Sequence, residues 1–289
     1  MTWGDIISLT ADYLAKKGVP DASVAAELLA ARLLKCGRGT LAPHLAAEPE
    51  SRHLEAMRRA MVRLVANEPI QYVLGEWDFR RLTLTCDRRA LIPRPETEEL
   101  VTRVLAFMRR RWPPGADTKP VTVDVGTGSG CIILSLADEF VGEGVFLGLD
   151  ISPAAVELAQ ANAERCALAE RVKFAVADGL DDFDEAGMID VLVSNPPYIA
   201  TADCDTLDRR IRDFEPRNAL DGGITGLDFY ERFVFDAMNL LRPGGGVFFE
   251  IGDNQGEAVR KLLFDAGFDD IRIEKDYAGL DRYASATLS

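Results

Sequence analysis

The sequence predicts an α/β fold: a mostly parallel, seven-stranded sheet with helices on both faces and an antiparallel edge hairpin, joined to a small all-helical N-terminal domain. Three observations predict it. Beyond Val121, short apolar and β-branched runs alternate with helical patterns, as expected of strands that return in parallel after a covering helix. The chain closes with two strand-like runs, FDDIRIEKD and YASATLS, whose short link suits an antiparallel pair. The first 75 residues carry apolar stripes at helical spacing.

In order, Trp3, Ile6, Ile7, Tyr13 and Leu14 share a helix face with Thr10, and Gly18 and Pro20 stop that helix. Asp21 is placed to cap a second helix holding Val24, Leu28, Leu29 and Leu33 inside, ended near Gly37. Leu54, Met57, Met61 and Leu64 form a third stripe, stopped by Pro69. Residues 76–95 change character. Phe79, Leu82 and Leu84 alternate with charged neighbours until Pro93 and Pro95 break the pattern, so this segment reads as a hairpin linker between a domain of residues 1–75 and one of 96–289. The second domain opens with a helix from Glu96 to near Arg111. VTVDV (121–125) is a buried strand, followed by a glycine-rich turn and a helix from Cys131. Further strands lie at 144–150, 172–178 and 189–194, and Pro153 opens the helix between the first two. After a loop-rich gap, 227–241 is helical, RPGGG (242–246) turns, GVFFEIG is the fifth strand and 255–266 the last long helix.

Composition bounds the partners. Of 289 residues, 47% are hydrophobic and 28% charged, which excludes a disordered chain or a small disulfide scaffold. The net charge of −14 argues against sequence-independent grip on a phosphate backbone, so no direct nucleic-acid binding is expected. The charge is uneven: residues 1–95 hold 14 basic and 11 acidic side chains, residues 96–289 hold 19 and 36. That asymmetry suggests two units with different partners. No apolar run is long enough to span a membrane, and the N-terminus shows no secretion signal. The five cysteines are scattered with no CxxC pair, so no metal site is expected, and free thiols suit a cytoplasmic protein. Both histidines, His44 and His53, fall in the first third, so the chemistry of the acidic part proceeds without histidine.

Asp124-Val125-Gly126-Thr127-Gly128-Ser129-Gly130 stands where a strand ends and a helix begins. Glycines there let the backbone turn tightly and let a ligand lie against it. A dinucleotide fingerprint would require Gly or Ala at 131, where this chain has Cys131. Asp150 ends the next strand, where an acid accepts both ribose hydroxyls of a nucleoside; it could alternatively cap the following helix. Asp178 ends the third strand in the same manner, followed by Gly179.

The fourth strand ends in Ser194-Asn195-Pro196-Pro197-Tyr198. Two prolines stiffen the turn. The Asn195 side-chain oxygen and the Pro196 carbonyl can then accept both hydrogens of one planar NH2 group, with Tyr198 offering a flat face to stack on it. An amide nitrogen is a poor nucleophile because its lone pair is delocalised. Fixed acceptors that hold both N–H bonds push it toward tetrahedral geometry and aim the lone pair at an electrophile.

Together, D-x-G-x-G-x-G and NPPY resemble the signature of class I, Rossmann-like S-adenosylmethionine-dependent methyltransferases that act on planar nitrogens. Gln71-Tyr72-Val73-Leu74-Gly75, Leu91-Ile92-Pro93-Arg94-Pro95-Glu96-Thr97-Glu98, Phe214-Glu215-Pro216, Ala219-Leu220, Glu250-Ile251-Gly252 and Gln255-Gly256 further resemble the HemK/PrmC family, the peptide chain release factor glutamine methyltransferases. The resemblance spans nearly the whole chain. It implies methyl transfer from S-adenosyl-L-methionine to the glutamine of the Gly-Gly-Gln motif in class I release factors. It implies cofactor contacts from Gly126, Thr127, Gly128, Ser129, Gly130, Asp150, Asp178, Gly179 and Asn195, catalysis by Asn195, Pro196 and Tyr198, and a glutamine pocket of Asn195, Pro196, Pro197 and Tyr198. The helical domain would recognise the substrate protein. Adenine-N(6) DNA or RNA methyltransferases share the nitrogen-holding motif and are the competing expectation; a cofactor-binding module without catalysis would have no use for it. Pro93-Arg94-Pro95 either fixes a hinge or lines the pocket mouth. Arg209, Arg210 and Arg212 are either plain surface or partner contacts.

Overall fold

The computed structural model describes residues 1–181, 183 and 186–289. Its contacts divide the chain into two units: Met1–Glu76 with Asp208–Phe214, and Trp77–Leu207 with Glu215–Ser289. The first unit holds α1 (Trp3–Lys16), α2 (Ala22–Leu34), α3 (Ser51–Val65) and the short α4 (Ile70–Leu74). Ile6, Leu14, Leu29, Met57 and Leu64 form its core, the residues of the apolar stripes. Thr2 and Asp5 close a capping box at the start of α1. Asp21 departs from expectation: it sits in the left-handed region at φ 50° and makes no side-chain cap for α2.

The second unit begins with the hairpin β1 (Glu76–Phe79) and β2 (Leu82–Thr85), then α5 (Pro95–Arg111) and β3 (Val121–Val125). There follow α6 (Cys131–Glu139), β4 (Val145–Asp150), α7 (Pro153–Arg165), β5 (Val172–Val176) and β6 (Ile189–Ser194). The single turn α8 (Thr201–Cys204), and then α9 (Arg209–Arg212) in the stretch grouped with the helical unit, precede α10 (Asp228–Leu240), β7 (Leu241–Glu250), α11 (Gly256–Asp265), β8 (Asp269–Lys275) and β9 (Asp281–Thr287). The sheet has seven strands in the order β5-β4-β3-β6-β7-β9-β8. It is parallel from β5 through β7, and β9 runs antiparallel to both β7 and β8. This is the expected fold class. One apolar core lies under the hairpin, α5 and α6, the other under α10 and α11. The strand β6 is buried at all six positions, as a strand covered on both faces must be.

Two segments differ from the sequence reading. Residues 77–95, expected as a linker, are grouped with the sheet, and 208–214 are grouped with the helical unit. RPGGG does not end before the fifth strand but lies within it: Ile189 pairs with Leu241 and Val191 already with Gly246, so 242–245 loop out as an irregularity of one continuous strand. Gly244, at φ 79°, permits that excursion. Among the described residues, no helix is long and apolar enough to cross a membrane.

Candidate active site

Strand order positions the site. From β3 the sheet grows through β4 to β5 on one side and through β6 to β7 on the other. Where the winding reverses, between β3 and β6, the outgoing loops diverge to opposite faces and leave a crevice at the carboxyl ends of the strands. A cleft of about 280 Å³ lies there. Its wall includes the turn after β3, Asp150, Asp178 and Gly179, Asn195 to Pro197, and the segment from Arg89 to Arg94.

The turn after β3 is held by its own main chain. Gly126 and Thr127 both donate their N–H to the Leu149 carbonyl at 2.8 Å. Gly126 and Gly128 take φ of 73° and 55°, conformations that side-chain-bearing residues rarely adopt. A Cβ on Gly126 would meet nothing within 4 Å, so this part of the turn stands open to the cleft. Thr127 donates its hydroxyl to Asp124 Oδ2 at 2.7 Å. Asp124 is fully buried, and burial pushes its carboxyl up to about 7. Ser129 is buried, its carbonyl accepting from Asn162 Nδ2 at 3.0 Å. Gly130 is more tightly packed than the two glycines before it. It is outside the cleft wall, and a Cβ there would crowd Leu134 and Ala159 at 3.1 and 3.3 Å. Its φ of 81° and its place before α6 make it a packing and capping glycine.

Asp150 is half-buried at the end of β4. Its two oxygens each accept one backbone N–H at 2.9 Å, from Gly128 and from Ser152. A carboxylate offers about four acceptor positions, so both oxygens retain capacity toward the cleft. Burial raises its pKa. The helix-capping alternative falls to Ser152 instead, whose hydroxyl accepts from Ala155 N–H. Asp178 is exposed and engaged by Arg232, whose guanidinium donates to its carboxylate at 2.5 Å and also to its carbonyl. Arg232 lies over Gly179, so a Cβ at 179 would come within 2.9 Å of the guanidinium.

At the end of β6, Asn195 is half-buried and Pro196 buried. Asn195 Nδ2 donates to Thr97 Oγ1 at 3.2 Å, and Thr97 donates to Glu250 Oε2 at 2.6 Å. Both partners are buried, at 2% exposure each. Register explains the meeting: Ser194 pairs with Phe249, which sets Asn195 beside Glu250 at the strand ends. Burial raises the Glu250 carboxyl to about 7. Tyr198 is partly buried. Its ring packs against the apolar core that α10 and α11 cover and is not part of the cleft wall, and burial lifts its phenol to about 12. Its carbonyl accepts from Gln255 Nε2 at 3.0 Å. The same nitrogen donates to the Gly226 carbonyl, clamping the NPPY turn to the neighbouring loop.

Residues 117–262 match the family model described as a methyltransferase domain, and residues 5–75 match the PrmC N-terminal domain. The chain is 38% identical over 285 residues to a release factor glutamine methyltransferase of Geobacter sulfurreducens, covering 98% of this chain and 95% of that one. It is 33% identical over 289 residues to a human protein of the same name, covering 96% and 85%. It belongs to the release factor glutamine methyltransferase family. Its fold is shared more widely: a crystal structure of a methyltransferase from Pyrococcus furiosus superposes with a TM-score of 0.51 at 18% identity, covering 79% of this chain and 97% of that one.

In this release factor glutamine methyltransferase family member, the cleft recruits residues to which sequence reasoning assigned no site role. Thr97 and Glu250 stand behind Asn195. Glu250 was visible as an acid closing the apolar run GVFFE and within the Glu250-Ile251-Gly252 motif, neither of which pointed to Asn195. Buried Glu215 accepts from Arg94 and from the Ile92 N–H at 3.1 Å, so Arg94 both lines the cleft and helps hold the segment from Arg89 to Arg94 in its wall. Arg232 on α10 had no sequence signal. Arg209 and Arg212 pair with Asp213, and Arg210 with Asp208, all within the helical unit.

Proposed function

We propose that this chain methylates the side-chain amide nitrogen of the glutamine in the Gly-Gly-Gln motif of class I peptide chain release factors, with S-adenosyl-L-methionine as methyl donor. The observation that carries the reading is the placement of Asn195 and Pro196 in the same cleft as the glycine turn and Asp150. An amide clamp and a nucleoside cradle then face one space.

The residues present fit the donor. The open backbone at Gly126 gives a cradle that a side chain would obstruct. Asp150, steadied by two backbone N–H groups, suits a pair of vicinal hydroxyls. Asp178, Gly179 and the Arg232 that bonds Asp178 line the same cleft and would face the cofactor's heterocycle. When bound, the cofactor supplies an electrophilic methyl group on a positively charged sulfur. Asn195 and Pro196 offer two acceptors for the two N–H bonds of the substrate amide. Together they hold it in place and draw its nitrogen out of conjugation. A methylated amide nitrogen sheds its extra proton readily, so no strong base is required, and both histidines lie in the other unit.

A clamp for one carboxamide cannot tell one glutamine from another, so protein selectivity requires a second surface. The helical unit fits this role, with 208–214 as part of it. A translation factor as substrate places the reaction in the cytoplasm, in keeping with five free cysteines. The decisive test is mass spectrometry of the Gly-Gly-Gln peptide from a release factor incubated with the enzyme and labelled cofactor. One added methyl on glutamine is expected. Label on adenine of DNA or RNA, with the factor untouched, would overturn the reading.

A further inference from the structure

Resting on that reading, we propose that Thr97 is a positioning residue: by donating to Glu250 and accepting from Asn195, it fixes which way round the Asn195 amide stands and so makes the site select a carboxamide over a carboxylate.

The argument is one of proton direction. A side-chain amide has two nearly isosteric ends, one a double donor and the other an acceptor. Which end faces the cleft decides what the cleft accepts. An oxygen matches the N–H of glutamine, and a nitrogen would match the oxygen of glutamate. Nothing in the shape of asparagine settles this; a neighbour must. Thr97 is that neighbour, 3.2 Å from the amide nitrogen. A hydroxyl carries a single hydrogen, and with Glu250 in its ionised form that of Thr97 goes to the carboxylate at 2.6 Å. Toward Asn195, Thr97 is left only with lone pairs, so it must receive the amide NH2 group. The two polar ends of an amide diverge, so the oxygen remains for the cleft that Asn195 lines.

The arrangement is well placed to be rigid. Thr97 occupies the first turn of α5, two residues after Pro95, its own N–H bonded to the Arg94 carbonyl at 3.1 Å. Glu250 is held at the end of β7 by the sheet, and its carbonyl accepts the Tyr230 hydroxyl at 2.9 Å. A buried hydroxyl between a carboxylate and an amide is a low-dielectric network in which each bond sets the sense of the next. Simple anchoring of the turn would need no such direction, since Gln255 already clamps Tyr198 from the other side.

The test uses the full-length enzyme and an intact release factor in two forms, one with its Gly-Gly-Gln and one with glutamate in place of that glutamine. The first is assayed as substrate, the second as competitive inhibitor. In the unaltered enzyme, Ki for the glutamate form should exceed KM for the glutamine form by at least about 100-fold, because a carboxylate would face two acceptors. Thr97→Val removes the hydroxyl at nearly constant volume. It should lower kcat about 10–100-fold through loss of orientation, with cofactor affinity unchanged by calorimetry, and bring Ki and KM to within a few-fold of each other. Thr97→Ser should restore both the rate and the preference. Should the valine variant fail to fold, Thr97→Ala, which likewise has neither donor nor acceptor, is judged by the same ratio. If the unaltered enzyme leaves the release factor unmethylated, the functional reading itself fails. If it methylates the factor, yet the valine or alanine variant keeps the full preference for glutamine, Thr97 only supports the fold and the proposal is wrong.

Discussion

At the β3 end of the cleft, the groups that shape the turn lie close together in the chain. Thr127 reaches Asp124, three residues away, and Gly128 reaches Asp150 across 22. At the β6 end the partners are remote. Asn195 leans on Thr97 from 98 residues away, Thr97 on Glu250 from 153, and Gln255 holds Tyr198 from 57. The first end is a strand–turn–helix unit that shapes itself wherever such a unit forms. The second exists only once β7 lies beside β6 and α5 covers them. The comparison teaches that the proposed cofactor end is a local device, while the proposed acceptor end is a property of the assembled sheet.

Substitutions should separate the two ends. The largest effect is expected from Asn195→Ala. Loss of one preorganised acceptor should lower the single-turnover methylation rate on the order of 100–1,000-fold, with cofactor affinity by calorimetry falling much less. A variant with full activity would remove Asn195 from the chemistry. Asp150→Ala probes the opposite end. It should weaken cofactor binding roughly 10–100-fold through loss of charge-assisted bonds, with kcat at saturating cofactor nearly preserved. An unchanged dissociation constant would break the assignment of that end.

Gln255→Leu tests whether the acceptor end depends on remote support. The substitution leaves the Tyr198 and Gly226 carbonyls and the Gly252 N–H without their partner. It should reduce kcat about tenfold by loosening the turn and lower Tm, while cofactor affinity holds. Equal losses in rate and cofactor affinity would show that the two ends are one cooperative unit.

The smallest effect concerns pH. Glu250 has its carboxyl raised to about 7 in the folded chain, against 4.5 as its ordinary value. The folded state therefore holds a proton that the unfolded state has released between those values. The stability this provides is complete below about 4.5 and is lost as pH rises through about 7. Glu250→Gln lacks this dependence, so raising pH from 5 to 8 should destabilise the unaltered protein relative to the variant by a few degrees in Tm. Glu250 is surrounded by Arg94 and Glu96 at the start of α5, Cys131 on α6, Tyr198, Tyr230 on α10, and Arg282 and Tyr283 on β9. Parallel thermal-melt curves for the two proteins would show that these neighbours keep its carboxyl near the ordinary value.

The sequence by itself determined the order of strands and helices, because apolar periodicity records which faces are buried. It also determined the glycine turn, since glycine adopts φ near 73° at Gly126 and 55° at Gly128 at least steric cost. Asp150 was legible too, because the end of the second parallel strand after such a turn is fixed by chain connectivity. NPPY was legible as a motif, for two prolines after a buried strand have few structural uses. What the sequence left open was which residues stand behind it. Thr97 and Glu250 gave no periodic or spacing signal toward Asn195, because hydrogen bonds across 98 and 153 residues depend on the register that sets Ser194 beside Phe249. Gly130 and Tyr198 were read by motif as site residues. Only packing shows that Leu134 and Ala159 crowd that glycine and that the partly buried tyrosine ring also rests on the apolar core. Local conformation is written in neighbouring residues, and a chain of hydrogen bonds between distant ones is written only in the order of the strands.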